Sequence, residues 1–223
     1  EQSVGANVSL VSKDNSYGIA VYQSYRNRNP YDHDGDGFTE ILTTSSEALG
    51  MRSYFRTGPY SRITAQYHRI KDYRRGGDQL DVPPHESMTC EQADHTIDGG
   101  SLSFDWSSAD RSNRVNAYAS FQNTARSSYY GAFQDPDAYG RTHDLTASAG
   151  LQYVHEFKKL LFLPSELTIG TEYSHNDLHD QSVGYNIDTK QDVHIYGGYF
   201  QNEWKNSRWG ILIGGRLDKH NLI

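Results

Sequence analysis

Apolar and polar residues alternate with a period of two through most of this chain, which restricts it to strands with one apolar and one polar face. Val4, Ala6, Val8 and Leu10 alternate with Ser3, Gly5, Asn7 and Ser9. Leu49, Met51 and Phe55 oppose Gly50, Arg52, Tyr54 and Arg56, while Ile63, Ala65 and Tyr67 oppose Arg62, Thr64, Gln66 and His68. Leu102, Phe104 and Trp106 continue the pattern, as do Val115, Ala117, Ala119 and Phe121. The longest case sets Leu145, Ala147, Ala149, Leu151 and Tyr153 against Asp144, Thr146, Ser148, Gly150 and Gln152. Around 17–25 and 193–204 both faces carry aromatics. The pattern as a whole predicts ten strands.

The connections alternate between short and long. Turn signals place short connections at 13–16, 57–60, 109–113, 158–165 and 205–208, and long ones at 28–46, 75–94, 127–141 and 178–190. Tight turns at one end and loops at the other describe an all-β, antiparallel, up-and-down meander, which is how outer-membrane β-barrels are laid out. The alternative is a soluble β-sandwich serving as a binding module, for instance for glycans, since sandwich strands alternate too. Against the sandwich stand the many Ala and Thr on the apolar faces, the strand lengths of ten or more residues, and aromatics near strand ends: Tyr25, Tyr73, Trp106, Tyr129, Tyr130, Trp204 and Trp209.

Composition removes other classes. With 21 Lys and Arg against 28 Asp and Glu, the net charge is -7, and no basic footprint for nucleic acid exists. The longest apolar run, 160–164, falls far short of the ~20 residues of a membrane-spanning helix. The lone Cys90, expected in a loop, excludes an internal disulfide framework. No signal peptide is readable, so a chain opening on Glu1, Gln2 and Ser3 is expected to be processed or part of something longer.

Three stretches carry a family resemblance. Tyr73-Arg74-Arg75-Gly76-Gly77-Asp78-Gln79-Leu80-Asp81-Val82-Pro83-Pro84-His85-Glu86, with Glu91-Gln92-Ala93-Asp94-His95, resembles a segment of TonB-dependent outer-membrane receptors. Asn29-Pro30-Tyr31-Asp32-His33-Asp34-Gly35-Asp36-Gly37-Phe38-Thr39-Glu40 does likewise, and so does Gly198-Tyr199-Phe200-Gln201-Asn202-Glu203-Trp204 with Gly214-Gly215-Arg216-Leu217-Asp218. The resemblance covers nearly all of residues 1–223 and implies part of a larger transmembrane barrel, without the plug domain or energy-coupling box of such receptors. It further implies a bacterial outer-membrane location and active uptake of a scarce solute such as an iron chelate (siderophore) or cobalamin. The partners implied are the receptor's own plug, TonB and outer-membrane lipid. Arg52, Tyr54, Arg56, Arg62, Gln66 and His68 would face the lumen around the plug. A partial barrel exposes unpaired edges, so self-association is expected of the chain alone.

Two loops contain candidate binding residues. Asp32, Asp34 and Asp36 occupy positions 1, 3 and 5 of a loop, with Gly37 at 6 and Glu40 at 9, the first half of an oxygen cage for calcium. Thr43 stands where a bidentate Glu is expected, and a solvated acidic turn is the alternative. The second loop, at 76–98, has six acids and no Lys or Arg, following Arg69, Lys71, Arg74 and Arg75. Asp78, Asp81, Pro83, Pro84, His85 and Glu86 form its candidate ligand or partner surface, and the basic strand end is a candidate contact for lipid phosphates. His175, Asp177, His179 and Asp180 have metal-ligand side chains but fall in an expected loop, where their spacing aligns no face. No nucleophile, base and orienter assemble, so catalytic residues are expected to be none and the chain is not an enzyme. The rival enzyme reading is a closed ten-stranded barrel hydrolase using His68, Asp72, His175 and Asp177.

Overall fold

The computed structural model describes residues 1–222, which form one antiparallel sheet of ten strands in chain order. The strands are β1 (Gln2–Val11), β2 (Tyr17–Arg28), β3 (Thr43–Gly58), β4 (Ser61–Gly77), β5 (Thr89–Ser107), β6 (Asn113–Ala132), β7 (Tyr139–Leu160), β8 (Leu163–Ser182), β9 (Ile187–Lys205) and β10 (Gly210–Leu222). Each pairs only with its sequence neighbours, so the five short turns lie at one end and the four longer connections at the other. β1 and β10 are edges and do not pair with each other. That removes the closed ten-stranded barrel.

Registers are staggered. Tyr17 opens β2 opposite Phe55 although β3 runs on to Gly58, and Asn113 opens β6 opposite His155 although β7 runs on to Leu160. A stagger of this kind is the shear that tilted barrel strands require.

Residues directly opposite one another share a face, so register extends the alternation across the whole sheet. One face presents Met51, Phe55, Leu102, Phe104, Phe121, Leu151, Ile169 and Phe200, all at least 36% exposed. Apolar residues buried within the chain are few: Cys90, Ala93, Tyr129, Ala138, Val154 and Trp204. No second sheet covers the apolar face among the described residues, so the sandwich reading fails. At the turn end an aromatic cluster closes the apolar face, with Phe162 stacked on Trp204 at 5.8 Å and on Trp209 at 6.2 Å.

Two expected long loops are largely strand. The ladder continues through Ser127↔Arg141 to Tyr129↔Tyr139, and through His179↔Lys190 to Ser182↔Ile187, leaving only 133–138 and 183–186 as connections. At 22 residues β7 extends ~70 Å, far beyond the 9–11 residues a bilayer-crossing strand needs. Polar composition made these stretches read as loop, but a strand projecting into water is polar on both faces and keeps its ladder. Conversely, 29–42 and 78–88 are true loops, the second containing a short 3-10 turn at Pro84–Glu86.

Candidate functional site

The polar face is the first candidate surface. Arg52 lies opposite Gln66, Tyr54 opposite Thr64, Arg56 opposite Arg62, and His68 opposite Gly50, so all six residues expected to face the lumen share one face. Aromatic rings on this face lie across glycines of neighbouring strands: Tyr54 over Gly18, Tyr22 over Gly50, His68 over Gly99, Tyr118 over Gly150 and Tyr199 over Gly170. A strand glycine leaves backbone uncovered, and the cross-strand ring covers it while being held flat.

Charges on this face pair along rows. Arg62 stands 3.9 Å from Asp105, and Arg114 bridges Glu156 at 3.0 Å and Glu166 at 2.5 Å. Arg216 bridges Glu172 at 2.6 Å and Asp218 at 3.0 Å. Arg52 and Arg56 have no carboxylate within ion-pair reach among the described residues, which leaves net positive charge on β3. A groove of about 670 Å³ near the turns is lined by Arg56, Arg62, Asp105, Arg114, Asn116 and Gln152. The sequence reading named only the β3–β4 part of this wall. The same alternation, followed across register, would have added Arg114, Glu172, Tyr199 and Arg216.

The long-loop end is the second candidate surface. Asp32, Asp34, Asp36 and Glu40 converge, each offering a carboxylate oxygen within 4.8 Å of the others. Asp32 accepts the backbone N–H of Gly35 at 2.7 Å and of Gly37 at 2.8 Å, and Glu40 accepts that of His33 at 2.7 Å. The hydrogen bonds from Gly37 first and then Gly35 hold the Asp32 carboxyl below the usual range. Gly35 and Gly37 supply the positive φ (77° and 90°) that this winding needs.

Loop 78–88 folds back on the sheet. Arg75, only 8% exposed, donates through Nη2 to the carbonyls of Gln79 (3.3 Å) and Val82 (2.6 Å) and to Ser87 Oγ (3.4 Å). It is therefore the loop's anchor rather than a contact for lipid phosphate. Of its basic neighbours, Arg74 pairs with Asp72 at 2.7 Å and Arg69 with Asp98 at 3.7 Å. Beneath the loop Cys90, Tyr129 and Ala138 form a small buried cluster. Cys90 is thus a strand residue, and Tyr129 a core residue instead of a girdle aromatic. Asp78 accepts the Thr89 N–H at 2.8 Å and His85 meets the Tyr139 hydroxyl at 2.9 Å, whereas Asp81, Pro83 and Glu86 are exposed.

The hydrolase constellation does not form. Register puts His68 and Asp72 on the polar face, with Arg52 and Tyr54, and His175 and Asp177 on the opposite face, with Phe121 and Leu145.

No family model matches the chain, and no curated protein matches it. Solved structures do match. The siderophore receptor PirA from Acinetobacter baumannii superposes with a TM-score of 0.76 at 16% identity, over 99% of this chain and 37% of that one. FpvA of P. aeruginosa, in complex with a heterologous pyoverdine and iron, gives 0.73 at 11% identity, over 99% and 35%. The outer membrane transporter YddB from Escherichia coli gives 0.69 at 10% identity, over 98% and 34%. The chain spans little more than a third of the length of these proteins. The chain thus shares the fold of a ten-stranded segment of these proteins.

Proposed function

We propose that this chain is part of the barrel of a TonB-dependent receptor in the bacterial outer membrane, and that the receptor takes up an iron–siderophore chelate. The observation that carries the reading is the open ten-stranded meander, unpaired at both edges, that superposes along 99% of its length on a siderophore receptor. The exposed apolar face then meets lipid, and the polar face lines a lumen occupied by a plug domain that engages TonB. An iron chelate is favoured over cobalamin because siderophore receptors are among the structures the chain resembles. Arg52 and Arg56 give the wall a positive charge suited to an anionic plug surface or solute. Asp81, Pro83 and Glu86 form an exposed patch on the external loops, open to a partner.

Uptake assays test this reading. Cells lacking the gene should lose accumulation of an iron-loaded siderophore in iron-poor medium and regain it from a plasmid copy only when TonB is intact. Unchanged accumulation across a siderophore panel, with loss of labelled cobalamin instead, would reassign the solute. Unchanged uptake of both would end the transport reading.

We also infer that the 32–40 loop holds calcium. Four carboxylates within 4.8 Å repel one another, and a hard dication with oxygen ligands relieves that repulsion. The backbone hydrogen bonds to Asp32 leave each of its oxygens a further lone pair for a metal.

A further inference from the structure

His175, Asp192 and His194 meet on the apolar side of the sheet, at the external end of β8 and β9. His175 is the direct cross-strand partner of His194, and their rings stack 4.4 Å apart at an interplanar angle of 7°. Asp192 lies two residues before His194 on the same face. Its Oδ1 stands 2.9 Å from His175 Nε2 and 3.2 Å from His194 Nε2. The Tyr173 hydroxyl stands 2.8 Å from His194 Nδ1.

From this arrangement we propose a transition-metal site: the two Nε2 atoms and the Asp192 carboxylate bind a dication of the Zn²⁺ class. Ligands ~2.0–2.1 Å from a tetrahedral ion lie ~3.3–3.5 Å from one another, so the separations present need only small side-chain movements. Two imidazoles and one carboxylate select zinc, nickel or copper over calcium and magnesium, which take oxygen ligands. Tyr173 supports the site as an outer-shell group. A hydroxyl both donates and accepts, so it accepts Nδ1–H once Nε2 is turned to the metal, fixing the ring.

A second feature points to a cation. Asp177 is the direct partner of Asp192. Like charges directly opposite each other in a sheet are unfavourable, and no Lys or Arg pairs with either residue among the described residues. A bound dication offsets that repulsion.

The cluster also sits where an ion can reach it. His175 lies ~40 Å along β8 from Leu163, or ~30 Å in height for a strand tilted ~40°, against an apolar band ~25 Å tall. The tyrosine pair Tyr173–Tyr196, with centroids 5.1 Å apart, lies just below it as an interfacial girdle would. Metal bound at this rim joins β8 to β9 where their hairpin leaves the bilayer. The inference does not depend on which solute the receptor carries.

The test uses the full-length protein in detergent, freed of metal by chelator and dialysis. Zn²⁺ alone should bind saturably in calorimetry at micromolar concentrations, and Co²⁺ should give the visible absorption of a tetrahedral complex that Zn²⁺ abolishes. His194→Gln and Asp192→Asn, checked by circular dichroism, should each weaken Zn²⁺ binding by about 100-fold, and Tyr173→Phe by about 10-fold. Asp34→Ala, in the acidic loop, should leave it unchanged. Absence of saturation up to millimolar Zn²⁺ overturns the proposal, and so does affinity unchanged in the double variant His175→Gln/His194→Gln.

Discussion

The Tyr199 ring lies flat across Gly170, and its hydroxyl donates to Gln152 Oε1 at 2.9 Å, so one side chain of β9 spans β8 to reach β7. A Cβ on Gly170 would fall within 3.0 Å of the ring. Gly170→Val should therefore destabilise the barrel by about 1–3 kcal/mol through overpacking, despite valine's better strand propensity. In a Tyr199→Ala background the same change should cost nothing. Urea unfolding of the four proteins of this cycle in detergent measures the coupling, and additive losses would contradict the contact.

Arg75 fixes loop 78–88 through two carbonyls and a hydroxyl. Arg75→Met leaves those acceptors without their donor and should cost about 2 kcal/mol locally. Limited proteolysis should then cut within 78–88, while cleavage at other sites stays as in the parent. Equal resistance in both proteins would show that the loop is held by other contacts.

The Asp110 carboxylate staples the β5–β6 turn. It accepts the Ser108 hydroxyl at 2.5 Å and the Ser112 N–H at 3.1 Å, and these bonds, the Ser108 hydroxyl first, bring its carboxyl down to about 2. Asp14 is brought to about 2 in the β1–β2 turn by Ser12 and Ser16. A depressed carboxyl stabilises the fold above its unfolded value of ~3.9, and that contribution disappears as pH falls through the folded value. Acid should thus loosen these turns between about pH 4 and 2, and Asp110→Asn should remove the Asp110 share of that dependence. Amide exchange in the turns across that range is the measurement.

Asp34→Ala should abolish calcium binding by the 32–40 loop, read as heat of binding in calorimetry at millimolar calcium. No heat from the parent protein would leave an acidic turn and nothing more.

The edges make a prediction about the chain on its own. Val4, Val8 and Leu10 on β1 are 70%, 63% and 67% exposed, and β1 and β10 each leave one row of backbone donors and acceptors unpaired. Expressed as residues 1–223, the chain should self-associate or require detergent. A monodisperse monomer in plain buffer, by light scattering, would contradict this.

Alternation alone determined the strands and the two faces, because side chains in a strand project to opposite sides with period two whatever the strand packs against. Turn chemistry determined the hairpins at Asn15, Gly58 and Arg111 in the same local way. What lay beyond the sequence depended on partners distant along the chain. His175 reads as a loop residue and nothing local singles out Asp192; only the β8–β9 register, closed at Ser182↔Ile187 by the 183–186 connection, brings their atoms to 2.9 Å. Tyr129 reads as a girdle aromatic, since alternation does not show that Cys90, Ala138 and Tyr139 close around its ring while its hydroxyl donates to the Asp135 carbonyl. The strand continues through 127–132 because its ladder with β5, joined as far as Tyr129 by that with β7, satisfies the backbone, a cooperative gain that a polar stretch of sequence does not display.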